Sequence, residues 1–287
     1  GFQSVTTVED GFIRSSGLGA NLIRPYSLVF DDVGIYYDAT QPSRLEWILN
    51  QIHLNQHQVE RSEKLIKQLI ELEISKYNIG ERKKLIRPPY DRVILVTGQV
   101  EDDESIRLGS LNIKTNLDLL KHVRGTNPHA YIIYKPHPDV HAGLRLGKIQ
   151  DQDLKQYADA VELDASIVEC FEIIDELHTM TSLSGFEALL RGKKVYCYGM
   201  PFYAGWGLTI DVGANTRRTK KLTLSELVYG VLVEYATYNL PQTDSFKLAR
   251  VNVEDVVGQL VYERSQNVSS PKLQSTFATI RARILYG

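Results

Sequence analysis

Between Thr97 and Ser105 the chain reads T-G-Q-V-E-D-D-E-S, with four consecutive acids after a Gly-Gln turn. The turn follows an apolar run, Val93-Ile94-Leu95-Val96. Where a buried strand ends in a crevice, such a carboxylate can act as nucleophile or base at a sugar's anomeric carbon. A solvated loop with one acid capping the next helix is equally consistent, since four adjacent carboxylates cannot all be buried ionised. A second polar turn, Lys135-Pro136-His137-Pro138-Asp139, follows the apolar run Tyr131–Tyr134. Each proline holds the residue before it extended, so Lys135 and His137 are presented rather than wound into a helix. A Lys and a His held this way suit a phosphate, or else mark a rigid surface turn. The third turn, Thr181-Ser182-Leu183-Ser184-Gly185, carries three hydroxyls in four positions. Ser184 and Glu187 have capping-box spacing, with Gly192 closing the helix they would start. Hydroxyls at a helix start suit a phosphate, though capping alone would account for Ser184.

Other motifs carry less. The loop from Gly199 to Gly207 (G-M-P-F-Y-A-G-W-G) is either a packed connection or a flexible wall that stacks on a base or sugar. Glu9-Asp10-Gly11 taken alone reads as any surface turn. Gly17-x-Gly19 lacks the third glycine and the strand-to-helix context of a dinucleotide site, and no Walker loop is present. The histidines show no metal spacing, and His53 and His57, i and i+4 on an expected helix, read as a solvated face. Cys170 and Cys197 form no disulfide framework, and Cys197 in a strand-like run reads as a buried, inert thiol.

The elements that position these turns follow from length and rhythm. A chain of 287 residues can bury a large core, and 43% hydrophobic and 24% charged residues are ordinary for a globular protein. A formal charge of −2 offers no basic field for nucleic acid, and the short cluster Arg82-Lys83-Lys84 with Arg87 reads as a solvated linker or a weak contact with anionic lipid. No stretch is apolar enough to span a membrane, and no signal peptide is visible, so a cytoplasmic setting is expected. Residues 1–41 read as short strands, including Tyr26–Phe30 and Gly34–Tyr37. Helical spacing starts at Ser43, with Glu46 completing a capping box, and resumes around Leu65–Leu72, as two helices or one long helix with a solvated middle. Glu81–Arg92 reads as a linker. Strand and helix then alternate: strands at 93–96, 131–134, 161–163, 176–178 and 195–198, and helices at 113–123, 171–174 and 186–190. That rhythm predicts a parallel sheet covered on both faces. Leu222 to about Val261 reads as mostly helical, broken near Pro241, and the polar stretch from Ser265 to Lys272 as mobile. The expected division is 1–88, 89–220 and a helical segment 221–287 that packs back across the other two.

Five segments together resemble a known family: E-D-G-F-I-R-S at 9–15, G-I-Y-Y-D at 34–38, Q-V-E-D-D-E-S at 99–105, K-P-H-P-D-V at 135–140 and G-M-P-F-Y-A-G-W-G-L-T at 199–209. They resemble the bacterial capsule β-Kdo transferases of the KpsC type, and the wording is nearest the C-terminal of that family's two transferase modules. The resemblance implies an α/β fold of GT-B type with two Rossmann-like domains, the nucleotide-binding sheet in the C-terminal half. It implies a retaining glycosyltransferase that uses CMP-Kdo without a metal or other cofactor. The acceptor would be Kdo on a phosphatidylglycerol-type lipid at the cytoplasmic face of the inner membrane, with capsule assembly proteins as partners and a β-2,7 linkage favoured over β-2,4. Asp103 matches the family's nucleophile and Glu9 its acid/base, which leaves Glu101, Asp102 and Glu104 as solvated neighbours. His137 joins the catalytic set, and Lys135, Pro138, Ser182 and Ser184, with Gln99, Ser105, Thr181, Gly185 and Glu187, are the expected substrate contacts. Family modules carry a strand and helix before the E-D-G segment, where only eight residues precede Glu9, so a trimmed or excised module is expected. Transfer of a polyol phosphate from a CDP-alcohol, and a non-catalytic nucleotide-sugar scaffold, are the rival readings.

Overall fold

The computed structural model describes residues 5–16, 23–76, 78, 83–241 and 248–269; Gly17, Gly19, Glu81, Arg82 and the tail beyond 269 lie outside them. In chain order the elements are β1 (Thr7–Asp10), β2 (Ser27–Asp31), α1 (Arg44–Gln51) and α2 (Gln56–Glu71), then β3 (Val93–Thr97), α3 (Glu104–Gly109), α4 (Asn116–Thr126) and β4 (Tyr131–Lys135). There follow α5 (Pro138–His141), α6 (Asp151–Tyr157), β5 (Ala160–Val161), α7 (Ile167–Ile173), β6 (Glu176–Thr179), α8 (Ser184–Leu190), β7 (Lys194–Cys197) and β8 (Ile210–Asp211). The chain closes with α9 (Leu224–Val228), a π-helical segment Tyr229–Tyr235, β9 (Ala236–Pro241), β10 (Leu248–Val251) and α10 (Val253–Ser269).

The large sheet has six strands in the order β5-β4-β3-β6-β7-β8, all parallel. Every residue of β3 is buried, as an apolar run flanked by strands and covered by helices requires. Ile94 and Val96 face one cluster with Leu119, Leu120 and Val123 of α4. Val93 and Leu95 face the other, with Phe171 of α7 and Ala188 of α8. That two-residue alternation is how one strand serves two helical layers.

The small sheet runs β1-β2-β9-β10 and is antiparallel among the described residues. Two of its strands come from the region expected to be helical. Residues 236–239 alternate buried and half-buried positions, and β9 pairs with β2 through Ser27↔Tyr238 and Val29↔Ala236. The C-terminal segment is therefore strand as well as helix. Its helices pack on α1 and α2, where Gly230 lets Leu49 come close. Gly34–Tyr37 is a turn, not a strand: Asp31 accepts the N–H groups of Val33 and Gly34 at 3.0 and 2.9 Å, which bends the chain.

Two helices form between residues 44 and 71. Ser43 caps the first by accepting the Glu46 N–H at 3.1 Å, but the expected reciprocal bond is missing because Glu46 turns to Arg217 and Arg218. Asn55 and Gln58 make a complete capping box on the second. His53 lies before that helix, so it and His57 do not share a helical face. Arg87 is docked and not merely solvated: it donates to the Ile173 carbonyl and to Asp175, both at 2.8 Å. Both cysteines are buried, and burial pushes the Cys170 thiol up to about 11 and raises the Cys197 thiol as well.

Candidate active site

From β3 the chain runs outward through β4 to β5, then crosses back to β6 on the other side of β3 and runs outward through β7 to β8. The crevice beyond the carboxyl ends of β3 and β6 is thus a topological switch point, where open α/β sheets bind ligands. The turns after β3, β4 and β6 meet there. Gln99 is their cross-brace. Its side-chain oxygen accepts the Thr181 N–H at 2.8 Å and the Thr179 hydroxyl at 3.3 Å, and its amide nitrogen donates to the Thr181 hydroxyl at 2.9 Å. Asn116 holds the Gln99 backbone through bonds of 2.8 and 2.7 Å. Gln99 and Thr181 therefore position the site by bonding to each other.

The four acids of the first turn have four different settings. Asp103 caps α3, and its Oδ1 accepts both the backbone N–H and the hydroxyl of Ser105, at 2.9 and 2.7 Å. Both bonds fall on one oxygen, Oδ1. Asp102 pairs with Arg145 at 3.0 Å and Glu104 with Arg107, both acids exposed. Glu101 is more than a solvated neighbour: it is half-buried and accepts the Asn116 N–H at 2.7 Å.

In the second turn His137 is extended (φ −63°, ψ 139°), as the proline after it demands. Pro138 then opens the short helix α5. The Asp139 N–H points at His137 Nδ1 at 3.2 Å, so a neutral ring carries its proton on Nε2. Burial pushes the His137 pKa down, with Lys76 adding to the effect and Asp139 opposing it. Near neutral pH this histidine is a neutral Nε2–H donor. A ring that resists protonation stabilises the fold above the ordinary histidine pKa of about 6.5, and stability falls as pH drops below it. Imidazole NMR is expected to show the Nε2–H form and a titration midpoint below 6.5; a midpoint above it would sink this assignment. Lys135 donates to the Ala165 carbonyl at 2.5 Å, which aims its ammonium across the β4 end.

The third turn differs from its sequence pattern. Helix α8 starts at Ser184 itself, Leu183 occupies the cap, and the Ser182 hydroxyl accepts the Ser184 N–H at 3.2 Å. The Ser184 hydroxyl bonds the Ser182 hydroxyl at 2.8 Å and that of Thr97 at 3.2 Å. Glu187 is buried and accepts the Lys76 N–H at 2.7 Å, a long-range partner that displaces the local one. Burial pushes the Glu187 carboxyl up. Gly185 serves packing, since a Cβ there would strike the Tyr203 hydroxyl, which donates to the Ser182 carbonyl at 2.5 Å. The loop carrying Tyr203 is a packed connection, with Tyr203 and Trp206 wholly buried.

Two adjoining cavities result. One, about 300 Å³, is lined by Thr97, Lys135, His137, Ser182, Ser184 and Ala165 among others. The other, about 470 Å³, is lined by Asp103, Ser105, Thr181 and Asp139 on one side and by Glu9, Asp10 and Tyr37 of the small-sheet half on the other. Glu9 lies on β1, where its carboxylate accepts the Asp10 N–H at 2.8 Å. Tyr37 was visible only as part of G-I-Y-Y-D; burial, then the carboxylates of Glu9, Glu104, Asp103 and Asp38, raise its pKa and keep it a neutral donor. Lys76, which lines both cavities, carried no sequence signal at all. Among the described residues no group of three or more His, Cys, Asp or Glu could hold a metal ion.

A model of the capsule polysaccharide biosynthesis protein family matches residues 3–78 and 52–240. The capsule polysaccharide modification protein LipA of Neisseria meningitidis serogroup B is 51% identical over 261 residues, 91% of this chain. The chain spans 37% of that relative's length. Two solved structures of Thermosulfurimonas dismutans KpsC are similar to this chain. The beta Kdo 2,7 transferase is 42% identical with a TM-score of 0.75, over 90% of this chain and 78% of its own. The beta Kdo 2,4 transferase is 36% identical with a TM-score of 0.78, over 89% and 79%. With its parallel sheet, its two-sided cleft and these relatives, the chain belongs to the capsule polysaccharide biosynthesis family and has the fold of the KpsC glycosyltransferases.

Proposed function

We propose that this chain is a retaining β-Kdo transferase of GT-B type, moving Kdo from CMP-β-Kdo to a Kdo-terminated, lipid-linked acceptor in capsule linker synthesis. The observation that carries the reading is that Asp103 and Glu9, from the two halves of the chain, line one polar cavity that adjoins a second cavity whose lining includes Lys135, His137, Ser182 and Ser184. The two Kdo transferase structures support the sugar.

Nucleotide and phosphate occupy the 300 Å³ cavity, with Lys135, the His137 Nε2–H and the hydroxyls of Ser182 and Ser184 around the phosphate. Asp103 attacks the Kdo anomeric carbon, the bond to the phosphate oxygen breaks, and CMP leaves with the electron pair. Glu9 then takes the proton of the acceptor hydroxyl, whose oxygen attacks the same carbon and releases Asp103. Two inversions retain the β configuration. No metal takes part in this scheme. Sequence identity favours a β-2,7 product, while the TM-scores of 0.75 and 0.78 run slightly the other way; identity is the better guide, because it includes the side chains that orient the acceptor. The acceptor's lipid places the reaction at the cytoplasmic face of the inner membrane; no helix among the described residues is long and apolar enough to cross it.

The test is NMR of the product made from CMP-Kdo and a short synthetic Kdo acceptor. A β-2,7-linked disaccharide is expected. A β-2,4 product overturns the linkage, and preference for CDP-glycerol as donor overturns the sugar.

A further inference from the structure

The segment Gly143-Leu144-Arg145-Leu146-Gly147 follows α5 and forms a loop at the rim of the 470 Å³ cavity. Arg145 lines that cavity and pairs with Asp102 at 3.0 Å. The residues on either side of it do not line the cavity, and Leu144 and Leu146 are 65% and 66% exposed. The backbone holds them there. The Leu144 N–H donates to the Asp139 carbonyl at 2.9 Å, and the Leu146 carbonyl accepts the Glu101 N–H at 3.1 Å. The Gly147 carbonyl accepts the Asn116 side-chain amide at 2.9 Å. Gly147 has a φ of +127°, and a Cβ there would strike Asn116 and the Gln99 carbonyl, so this end of the loop requires glycine. A loop pinned at three backbone points keeps its leucines in water.

On the functional reading above, the cavity receives a sugar whose other end is anchored in a bilayer. Its rim must then face lipid, and a protein seated on Leu144 and Leu146 would stand in the acceptor's path. Charge agrees with a lipid surface: from His141 to Lys148 the chain holds Arg145 and Lys148 and no acid, and Lys148 is exposed. Exposed apolar groups beside a lysine suit a bilayer interface, where the first enter the headgroup boundary and the second meets phosphate. Val8 and Phe30, 52% and 45% exposed, form another apolar pair as cross-strand neighbours of β1 and β2. Side chains alternate along a strand, so Val8 faces away from the cavity that Glu9 lines.

We propose that the 143–147 loop docks this chain on an anionic phospholipid bilayer, with Leu144 and Leu146 at the headgroup boundary and Lys148 against the phosphates. This inference rests on the acceptor being lipid-linked. Docking through this loop sets the cavity over the bilayer, so the acceptor sugar enters without leaving its anchor.

The test uses the full chain, sedimented with vesicles of equal parts phosphatidylglycerol and phosphatidylcholine. Kinetics with CMP-Kdo then compare a short soluble Kdo acceptor with a lipid-linked one held in the same vesicles. Leu144→Gln combined with Leu146→Gln is expected to weaken vesicle binding about 10- to 100-fold, because less apolar area leaves water. The KM for the vesicle-held acceptor should rise with it, while kcat/KM on the soluble acceptor stays within about twofold. Lys148→Gln should weaken binding roughly fivefold on these vesicles and leave binding to phosphatidylcholine alone unchanged. Phe30→Gln should alter neither binding nor rate. Wild-type protein that does not sediment with the vesicles overturns the assignment, as does a leucine variant that binds them as tightly as wild type. Equal losses on both acceptors would place the leucines in the active site and overturn it as well. Loss of binding in Phe30→Gln alone would move the contact to the small sheet, with the same consequence. Wild-type protein that makes no product from CMP-Kdo and the soluble acceptor overturns the donor reading, while vesicle binding of the leucine variant still decides the docking surface.

Discussion

Asp103→Asn is expected to lower kcat by at least ~10³-fold while the protein stays folded. The choice of asparagine matters, because Asp103 has two functions. It caps α3 through Oδ1, and asparagine caps a helix about as well as aspartate. What asparagine cannot do is attack an anomeric carbon, since the amide oxygen carries no charge and forms no stable ester. Asp103→Ala would confound the two, adding about 1 kcal/mol of lost capping to the lost chemistry. Mass spectrometry of wild-type protein with CMP-Kdo should find a Kdo adduct on the peptide containing Asp103. The adduct should accumulate in Glu9→Gln, where the second step lacks its base, and be missing in Asp103→Asn. If Asp103→Asn keeps more than a tenth of the wild-type rate, or Glu9→Gln traps no adduct, double displacement through this residue fails and front-side attack becomes the better account.

The location of this chemistry was readable from sequence for a definite reason. Buried parallel strands are continuous apolar runs, and the polar turn that ends each one must project beyond the same edge of the sheet. Val93–Val96 and Tyr131–Tyr134 announced themselves in this way, so the convergence of the acidic and K-P-H-P turns needed no further information. What stayed hidden depends on partners distant in sequence. Strand β9 becomes a strand by joining β2, more than 200 residues earlier, and β10 by pairing with β9, while a local window reads their neighbourhood as helix. Ser184 and Glu187 satisfy capping-box spacing, yet Glu187 bonds Lys76, 111 positions away in sequence. Lys76 itself, within I-S-K-Y-N, belongs to no motif, and only the closed fold shows that it faces both cavities.

The largest effect on stability should come from a residue far from any of these turns. Glu46→Ala is expected to cost about 3–5 kcal/mol, the range for removing one partner of a buried ion pair. Glu46 is 4% exposed and accepts from Arg218 Nε at 3.0 Å and Arg217 Nε at 2.9 Å. The Arg218 side chain is 1% exposed; it also donates to the carbonyls of Pro201 and Ala204, at 2.5 and 2.6 Å, and stacks over Trp206. Burial pulls the Arg218 pKa down and Glu46 pushes it back, so without Glu46 the guanidinium is buried without its hydrogen-bonded counter-charge and keeps only the weaker attraction of Asp211. A drop in Tm of roughly 10 °C should follow for a chain of this size. Glu46→Ala combined with Arg218→Met should be less damaging than the sum of the single changes, because the second removes the stranded charge. A loss below about 1 kcal/mol in thermal melts of Glu46→Ala would show that the pair is not a net stabiliser. The same arginine holds the loop whose Tyr203 hydroxyl grips the Ser182 carbonyl. Glu46→Ala should therefore also raise the KM for the nucleotide donor at temperatures well below melting, and Arg218→Met should do so as strongly, since either change loosens the hydroxyl turn without touching a residue that meets substrate.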